Sequence, residues 1–128
     1  MHTFLDRMML VGGYRPVQKK VHIGKKLILK CTARFRERPL NRHGLREDPI
    51  PLVTWVKHLR LVNETRAQKN VTVNGATITS TLVISPVKCH DEGVYRCIMI
   101  NYRNPRQWLE KKFRVNVLKR KVVVLFCN

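Results

Sequence analysis

Four cysteines, five histidines and eight carboxylates are the side chains with chemistry to offer. Cys31, Cys89, Cys97 and Cys127 form no C-x-x-C pair, so zinc-ligand spacing is missing. His2, His22, His43, His58 and His90 show no i, i+4 pairing and no matched carboxylate. Cys89 and His90 are adjacent, and adjacent side chains diverge on an extended backbone, so they make a poor nucleophile–base pair. Neither Ser80 nor Ser85 lies in a nucleophile-elbow context, and no glycine-rich phosphate loop occurs. The expectation is a protein that is not an enzyme, with no metal and no cofactor. Pairing is the remaining chemistry for the cysteines. An even count permits two disulfides, and four cysteines allow three connectivities that spacing alone does not rank.

Charge is the second resource. Lys and Arg total 26 against 8 Asp and Glu, giving +18 and a pI near 10.7. Such a surface attracts polyanions: nucleic acid, acidic polysaccharide or an anionic membrane face. Apolar residues make up 44% of the 128, too many for a disordered basic tail. Few aromatics interleave with the basic residues, which argues against a stacking platform for single-stranded nucleic acid. No apolar run approaches the ~20 residues of a membrane span. Met8–Val11 is short for a signal h-region and Asp6 sits where basic residues belong, so no clear signal peptide is read.

These groups need elements to position them, and the period throughout is that of strands. Leu27, Leu29, Cys31 and Ala33 alternate on one face of Lys26–Ala33. Val53 and Trp55 share a face in Val53–Lys57. Asn70–Val73 and Thr77–Ser85 flank Asn74-Gly75, which predicts a hairpin with a type I′ turn. Ile78, Leu82 and Ile84 point one way in its second arm. Tyr95, Cys97 and Met99 share a face, as do Phe113, Val115 and Val117. A weaker strand runs Val17–Ile23. About seven short strands separated by turn residues read as an all-β sandwich or barrel. Arg34–Pro51, with Pro39, Pro49 and Pro51, reads as a polar, Arg-rich insertion outside the core.

Cys31 on an early strand, Trp55 on the next and Asp91-x-Gly93-x-Tyr95-x-Cys97 on a late one form a set, with Leu29-Lys-Cys31 and Leu82-x-Ile84-x-x-Val87. This set resembles the immunoglobulin superfamily in its I-set or C2-like form, over roughly Pro16–Leu118. The resemblance implies a two-sheet antiparallel sandwich of seven to nine strands. It implies an irregular segment over 1–15, the Ig-like domain over 16–118 and a basic, apolar tail over 119–128. Cys31 and Cys97 would bridge strands B and F as the structural disulfide. Closing a loop of that length is worth roughly 4 kcal/mol in the chain-entropy model. Trp55, Tyr95, Leu82 and Ile84 would form the core, with Tyr95 as the tyrosine corner and Gly93 in the turn before it. Asp91 would pair with a basic residue near strand D, and Lys69 is the candidate. Two features depart from the family. Trp55 follows Cys31 by more than the usual spacing, so Arg34–Pro51 becomes a long B–C insertion. Cys89 and Cys127 have no family role; they could pair with each other, with a partner chain or not at all.

The resemblance implies a non-enzymatic recognition module, part of a longer extracellular or cell-surface receptor, adhesion protein or secreted ligand. Protein partners are expected and nucleic acid is not. Heparan sulfate is the natural polyanion for such a module, as for Ig modules of some growth-factor receptors and neuregulin-type ligands. Lys19, Lys20, Lys112 and Arg114 would form one patch on neighbouring strands A and G, and Arg34, Arg36 and Arg38 another in the insertion. Guanidinium groups suit sulfate through their planar fork of donors. Tyr102, Arg103, Arg106 and Trp108 in the F–G loop are candidates for partner contact, being types enriched at hot spots. Asn63-Glu-Thr65 and Asn70-Val-Thr72 have the form of N-glycosylation acceptors. The alternative is an intracellular structural domain of the muscle-cytoskeleton type, where Cys31 and Cys97 would stay thiols.

Overall fold

The computed structural model describes residues 7–58, 60–62 and 65–119. Nine strands occur among them: β1 (Met8–Leu10), β2 (Val17–His22), β3 (Leu27–Phe35), β4 (Leu52–Lys57), β5 (Arg60–Leu61), β6 (Ala67–Asn74), β7 (Thr77–Ile84), β8 (Gly93–Ile100) and β9 (Trp108–Leu118). They form two sheets, ordered β1-β3-β7-β6 and β2-β9-β8-β4-β5. All neighbours run antiparallel except β2 and β9, which are parallel. The exception follows from the chain path. Between β1 and β2 the chain passes Gly12 and Gly13, both at positive φ, and moves to the edge of the second sheet.

The inward residues are those expected from the alternation. Leu29, Cys31, Trp55, Leu82, Ile84, Tyr95, Cys97 and Val117 are all buried. Cys31 and Cys97 are disulfide-bonded, with their Cα atoms 6.4 Å apart. On its own sheet Cys31 lies opposite Ser80, and on the other sheet Cys97 lies opposite Trp55. Trp55 Nε1 donates to Ser80 Oγ at 2.9 Å. The two sheets are thus joined by a disulfide and, beside it, a hydrogen bond between the cross-strand neighbours of the two cysteines. Phe113 tilts against the Trp55 ring at 5.6 Å.

Four expectations need correction. The segment 1–15 is not wholly irregular, because β1 pairs with β3 and buries Met8 and Leu10. Three residues are too few to display a period. The Arg34–Pro51 stretch is not all loop. β3 continues through Phe35, whose ring is fully buried, and Pro39 and Pro49 are buried too. The hairpin loop is Gly75–Ala76, since Asn74 pairs with Thr77. Gly75 has positive φ and Asn74 does not, which fits a type II′ turn with glycine first. Asp91 pairs with Arg66, not Lys69: Arg66 Nη1 and Nη2 donate to its two carboxylate oxygens at 2.9 and 3.0 Å. Lys69 lies opposite Leu82, well along β6, whereas Arg66 sits before β6 at the corner that holds Asp91.

That corner is a 3-10 turn, Cys89–Asp91, ahead of β8. Tyr95 Oη donates to the Asp91 carbonyl at 2.5 Å, as the tyrosine corner requires. The Lys88 amide donates to Asp91 Oδ2 at 2.7 Å. Gly93 has φ +146°, and a Cβ there would run into the His58 ring. Cys127, the other candidate partner for Cys89, lies outside the described residues.

Burial pushes the Asp91 carboxyl up, but the Arg66 hydrogen bonds, the Lys88 amide and the charges of Arg66 and His90 hold it below its ordinary 3.8. A depressed folded value means stability that is present above the unfolded value and lost as pH falls through the folded one. Arg66→Met strands a buried carboxylate, so it should cost about 3 kcal/mol at neutral pH. Urea unfolding should show that penalty shrinking below about pH 4, where the carboxyl takes up a proton. Ser80→Ala leaves the buried Trp55 N–H without its acceptor and should cost about 1–3 kcal/mol in the same assay.

Candidate recognition surfaces

Alternation along the five-stranded sheet turns the even-numbered residues of β8, β9 and β4 outward. Register then sets them in rows. Trp108, Ile100 and Leu52 form one row across β9, β8 and β4. Their exposures are 55%, 38% and 43%, large for apolar side chains on a sheet face. Glu110, Ile98 and Thr54 form the next row, and Lys112, Arg96, Val56 and Leu61 the one after. Leu61 on the edge strand is 67% exposed. Arg96 Nε pairs with Glu110 at 2.8 Å, so a carboxylate–guanidinium bridge lies inside this apolar surface.

Of the basic candidates, the structure brings Lys20, Lys112 and Arg114 to this same outer face. Arg114 lies opposite Gln18, and Lys20 opposite Asn116. Lys19 is separated from them. It alternates with Lys20, lies opposite the buried Val115 and is half-buried. Lys111, on the inner side of β9, is buried and donates from Nζ to the Gly13 carbonyl at 2.7 Å. Its ammonium holds the crossing between the sheets.

The insertion cations sit elsewhere. Arg34 points outward from β3 on the four-stranded sheet. Arg36 and Arg38 follow it into the B–C loop, where Arg38 pairs with Asp48 at 3.6 Å. Arg46 pairs with Glu37 at 2.6 Å and donates to the Arg38 carbonyl at 2.7 Å. Leu40 and Arg46 form an isolated bridge, and Asn41 Oδ1 accepts from the His43 and Leu45 amides. The insertion is an internally bonded lobe, and Arg34, Arg36 and Arg38 do not join the strand β9 patch.

The F–G loop divides by role. Tyr102 stands edge-on to Phe35 at 6.1 Å and donates its hydroxyl to Glu47 Oε1 at 3.2 Å. It therefore braces the insertion. The Arg103 amide donates to Oδ1 of the fully buried Asn101 at 2.8 Å, so its backbone shapes the loop. Arg106 is exposed at the tip. Only Trp108 joins the apolar row. Gln107, which sequence reading passed over, clamps β1: its amide accepts from the Met8 N–H and donates to the Met8 carbonyl. Leu52, Ile98 and Ile100 were also passed over. Their signal was present, since Cys97-Ile98-Met99-Ile100 is apolar on both faces of one antiparallel strand, where one face normally meets water.

Among the described residues no group of acidic, histidine and cysteine side chains is arranged to hold a metal. No helix among them is long and apolar enough to cross a membrane. Asn70 lies exposed on β6, and Asn63 lies outside the described residues.

The immunoglobulin I-set domain pattern matches residues 44–117, more than half of the chain. The chain belongs to the immunoglobulin I-set family. Solved structures with the same fold include the Dpr2 Ig1-Ig2 module in complex with DIP-Theta Ig1-Ig3, at 17% identity and TM-score 0.65. That match covers 87% of this chain and 32% of the other. The Ig1-2 module of the Drosophila receptor protein tyrosine phosphatase DLAR matches at 18% identity and TM-score 0.63, over 89% of this chain and 50% of that one. The BTLA ectodomain matches at 16% and 0.61, over 87% of this chain and 98% of its own. This I-set domain thus spans about a third and a half of the two multi-domain chains. No curated protein sequence matches significantly.

Proposed function

We propose that this I-set domain is a non-enzymatic recognition module of an extracellular receptor, adhesion protein or secreted ligand. It engages a protein partner through the outer face of the five-stranded sheet. The observation that carries the reading is the exposed row Trp108–Ile100–Leu52, with Leu61 beyond it. Contiguous exposed apolar surface on a folded domain marks an interaction site. Trp108 supplies the kind of anchor that dominates interface energetics. The Cys31–Cys97 disulfide supports an oxidising compartment over the intracellular alternative. The structures similar in fold include a receptor protein tyrosine phosphatase module and an ectodomain, and one Ig module solved in complex with another Ig protein. Clustered display of the chain against an array of extracellular Ig proteins tests the proposal. A partner whose binding falls at least tenfold with Trp108→Ala, about 1.4 kcal/mol, and is abolished by Ile100→Lys supports it. Binding indifferent to both changes, or no binding partner, overturns it.

A second reading is carried by Lys20, Lys112 and Arg114 on that same face. Among the described residues none of the three makes an ion pair. We propose that they hold a sulfated glycan of the heparan type at the rim of the protein-binding face. On a heparin column the chain should elute above physiological salt, where simple charge attraction is screened beyond ~8 Å. The double reversal Lys112→Glu with Arg114→Glu should bring elution below that point. An unchanged elution removes this patch as the site.

A further inference from the structure

The outer face of the four-stranded sheet differs in kind from its counterpart. Its outward positions on β3, β7 and β6 are Ile28, Val83 and Gln68 in one row, then Lys30, Thr81 and Asn70. Thr32, Thr79 and Thr72 follow, then Arg34, Thr77 and Asn74. In a chain of charge +18, only Lys30 and Arg34 among these positions are charged. Neutral hydroxyls and carboxamides fill most of the rest, and Thr32 and Thr79 share a hydrogen bond at 3.3 Å. The apolar groups of this face stand at its two ends, Ile28 at one and Met9, opposite Arg34, at the other, and the rows between present hydroxyls and amides suited to the hydroxyls of a sugar.

Asn70 stands at the border of this face. It is exposed, and β6 is the outer strand of its sheet among the described residues. Among the described residues, its carboxamide makes no hydrogen bond. Thr72, two residues on, is exposed on the same side, because strand side chains repeat every second residue. Asn70, Val71 and Thr72 complete the acceptor triplet, with no proline between.

We infer that Asn70 carries an N-linked glycan and that the glycan lies over the threonine-lined sheet, leaving the five-stranded sheet as the face for partners. This rests on the extracellular reading above. In the transfer, Asn70 Nδ2 bonds to the anomeric carbon of an oligosaccharide held on a lipid pyrophosphate. The bond from that carbon to the pyrophosphate oxygen breaks, the lipid pyrophosphate leaves with the electron pair, and Nδ2 gives up one proton to a base. Nothing is oxidised or reduced. The first sugars attach one strand away from Thr81 and two from Lys30, about 10 Å across the sheet.

The test uses the full chain fused to a cleavable secretion leader and produced in eukaryotic cells. N-glycosidase treatment in heavy-oxygen water should convert Asn70 to a labelled aspartate. Asn70→Gln and Thr72→Val should abolish that label, whereas Thr72→Ser, which keeps the hydroxyl, should retain it. Amine acylation should proceed several-fold more slowly at Lys30 in the glycosylated protein than after deglycosylation, and equally at Lys112 in both. An unmodified Asn70 overturns the site, and an unchanged Lys30 rate overturns the placement of the glycan. Because the leader forces export, a missing glycan counts against Asn70 alone. Finding the natural protein in the cytosol instead counts against the extracellular reading.

Discussion

The two sheets are held face to face by one rung, and the rest of the molecule is arranged around it. Cys31 and Cys97 make its covalent half; Trp55 and Ser80 make its polar half. The four residues form two cross-strand pairs, one on each sheet. Each sheet therefore presents a sulfur and a hydrogen-bonding group side by side, and the registers of β3–β7 and β4–β8 are tied to each other. A one-residue slip in either would turn one member of that pair to the wrong face and break the rung. The consequence reaches the outer surfaces. Once Cys97 and Trp55 point inward, Ile98, Ile100 and Leu52 must point outward, and the apolar row follows from the register.

A second fixed point governs the far end of β8. Arg66 and Asp91 join the entry to β6 with the turn before β8, across the two sheets. Tyr95 closes the same turn from inside, with Lys57 Nζ above its ring at 5.4 Å and bonded to the His90 carbonyl. The aspartate is almost wholly buried, so the pair repays its desolvation only through the full set of donors around it. At the opposite end Asn101, Gln107 and Tyr102 do comparable work with neutral groups. They tie the F–G loop to β1 and to the insertion. Trp108 begins β9 directly after this braced loop, which sets the position of its indole.

What was legible in the sequence has a physical pattern. Cys31, Trp55, Tyr95 and Cys97 could be read because each combines a rare side chain with a place in a clear alternation. β1 could not, because three residues carry no period, and its partners, β3 and the Gln107 side chain, lie far away in sequence. Lys69 was the sequence candidate and Arg66 the actual partner, because proximity to strand D does not reveal which residue faces the corner. Ser80 sits among inward apolar residues and gains its meaning only from the Trp55 indole opposite. The apolar row needed register across three strands. Lys19 failed as a partner for Lys20 for the reason that makes strands readable at all: consecutive residues face opposite ways.

The distribution of negative charge explains how so basic a chain keeps both a fold and a usable surface. Each carboxylate among the described residues is engaged internally. Glu37 and Asp48 hold the insertion, and Glu47 receives Tyr102. Asp91 anchors the corner, Glu92 accepts from the Val117 amide at 3.0 Å, and Glu110 matches Arg96. Acid is thus committed to architecture, and the unmatched cations are left facing solvent. A field of this sign acts at range on any approaching anion, whereas apolar surface acts only on contact. On the five-stranded sheet charge and apolar surface lie side by side, with Lys20, Lys112 and Arg114 toward one end and Trp108, Ile100 and Leu52 toward the other. Charge alone sets no single orientation, because Lys30 and Arg34 also face out from the four-stranded sheet and Arg36 lies exposed in the insertion.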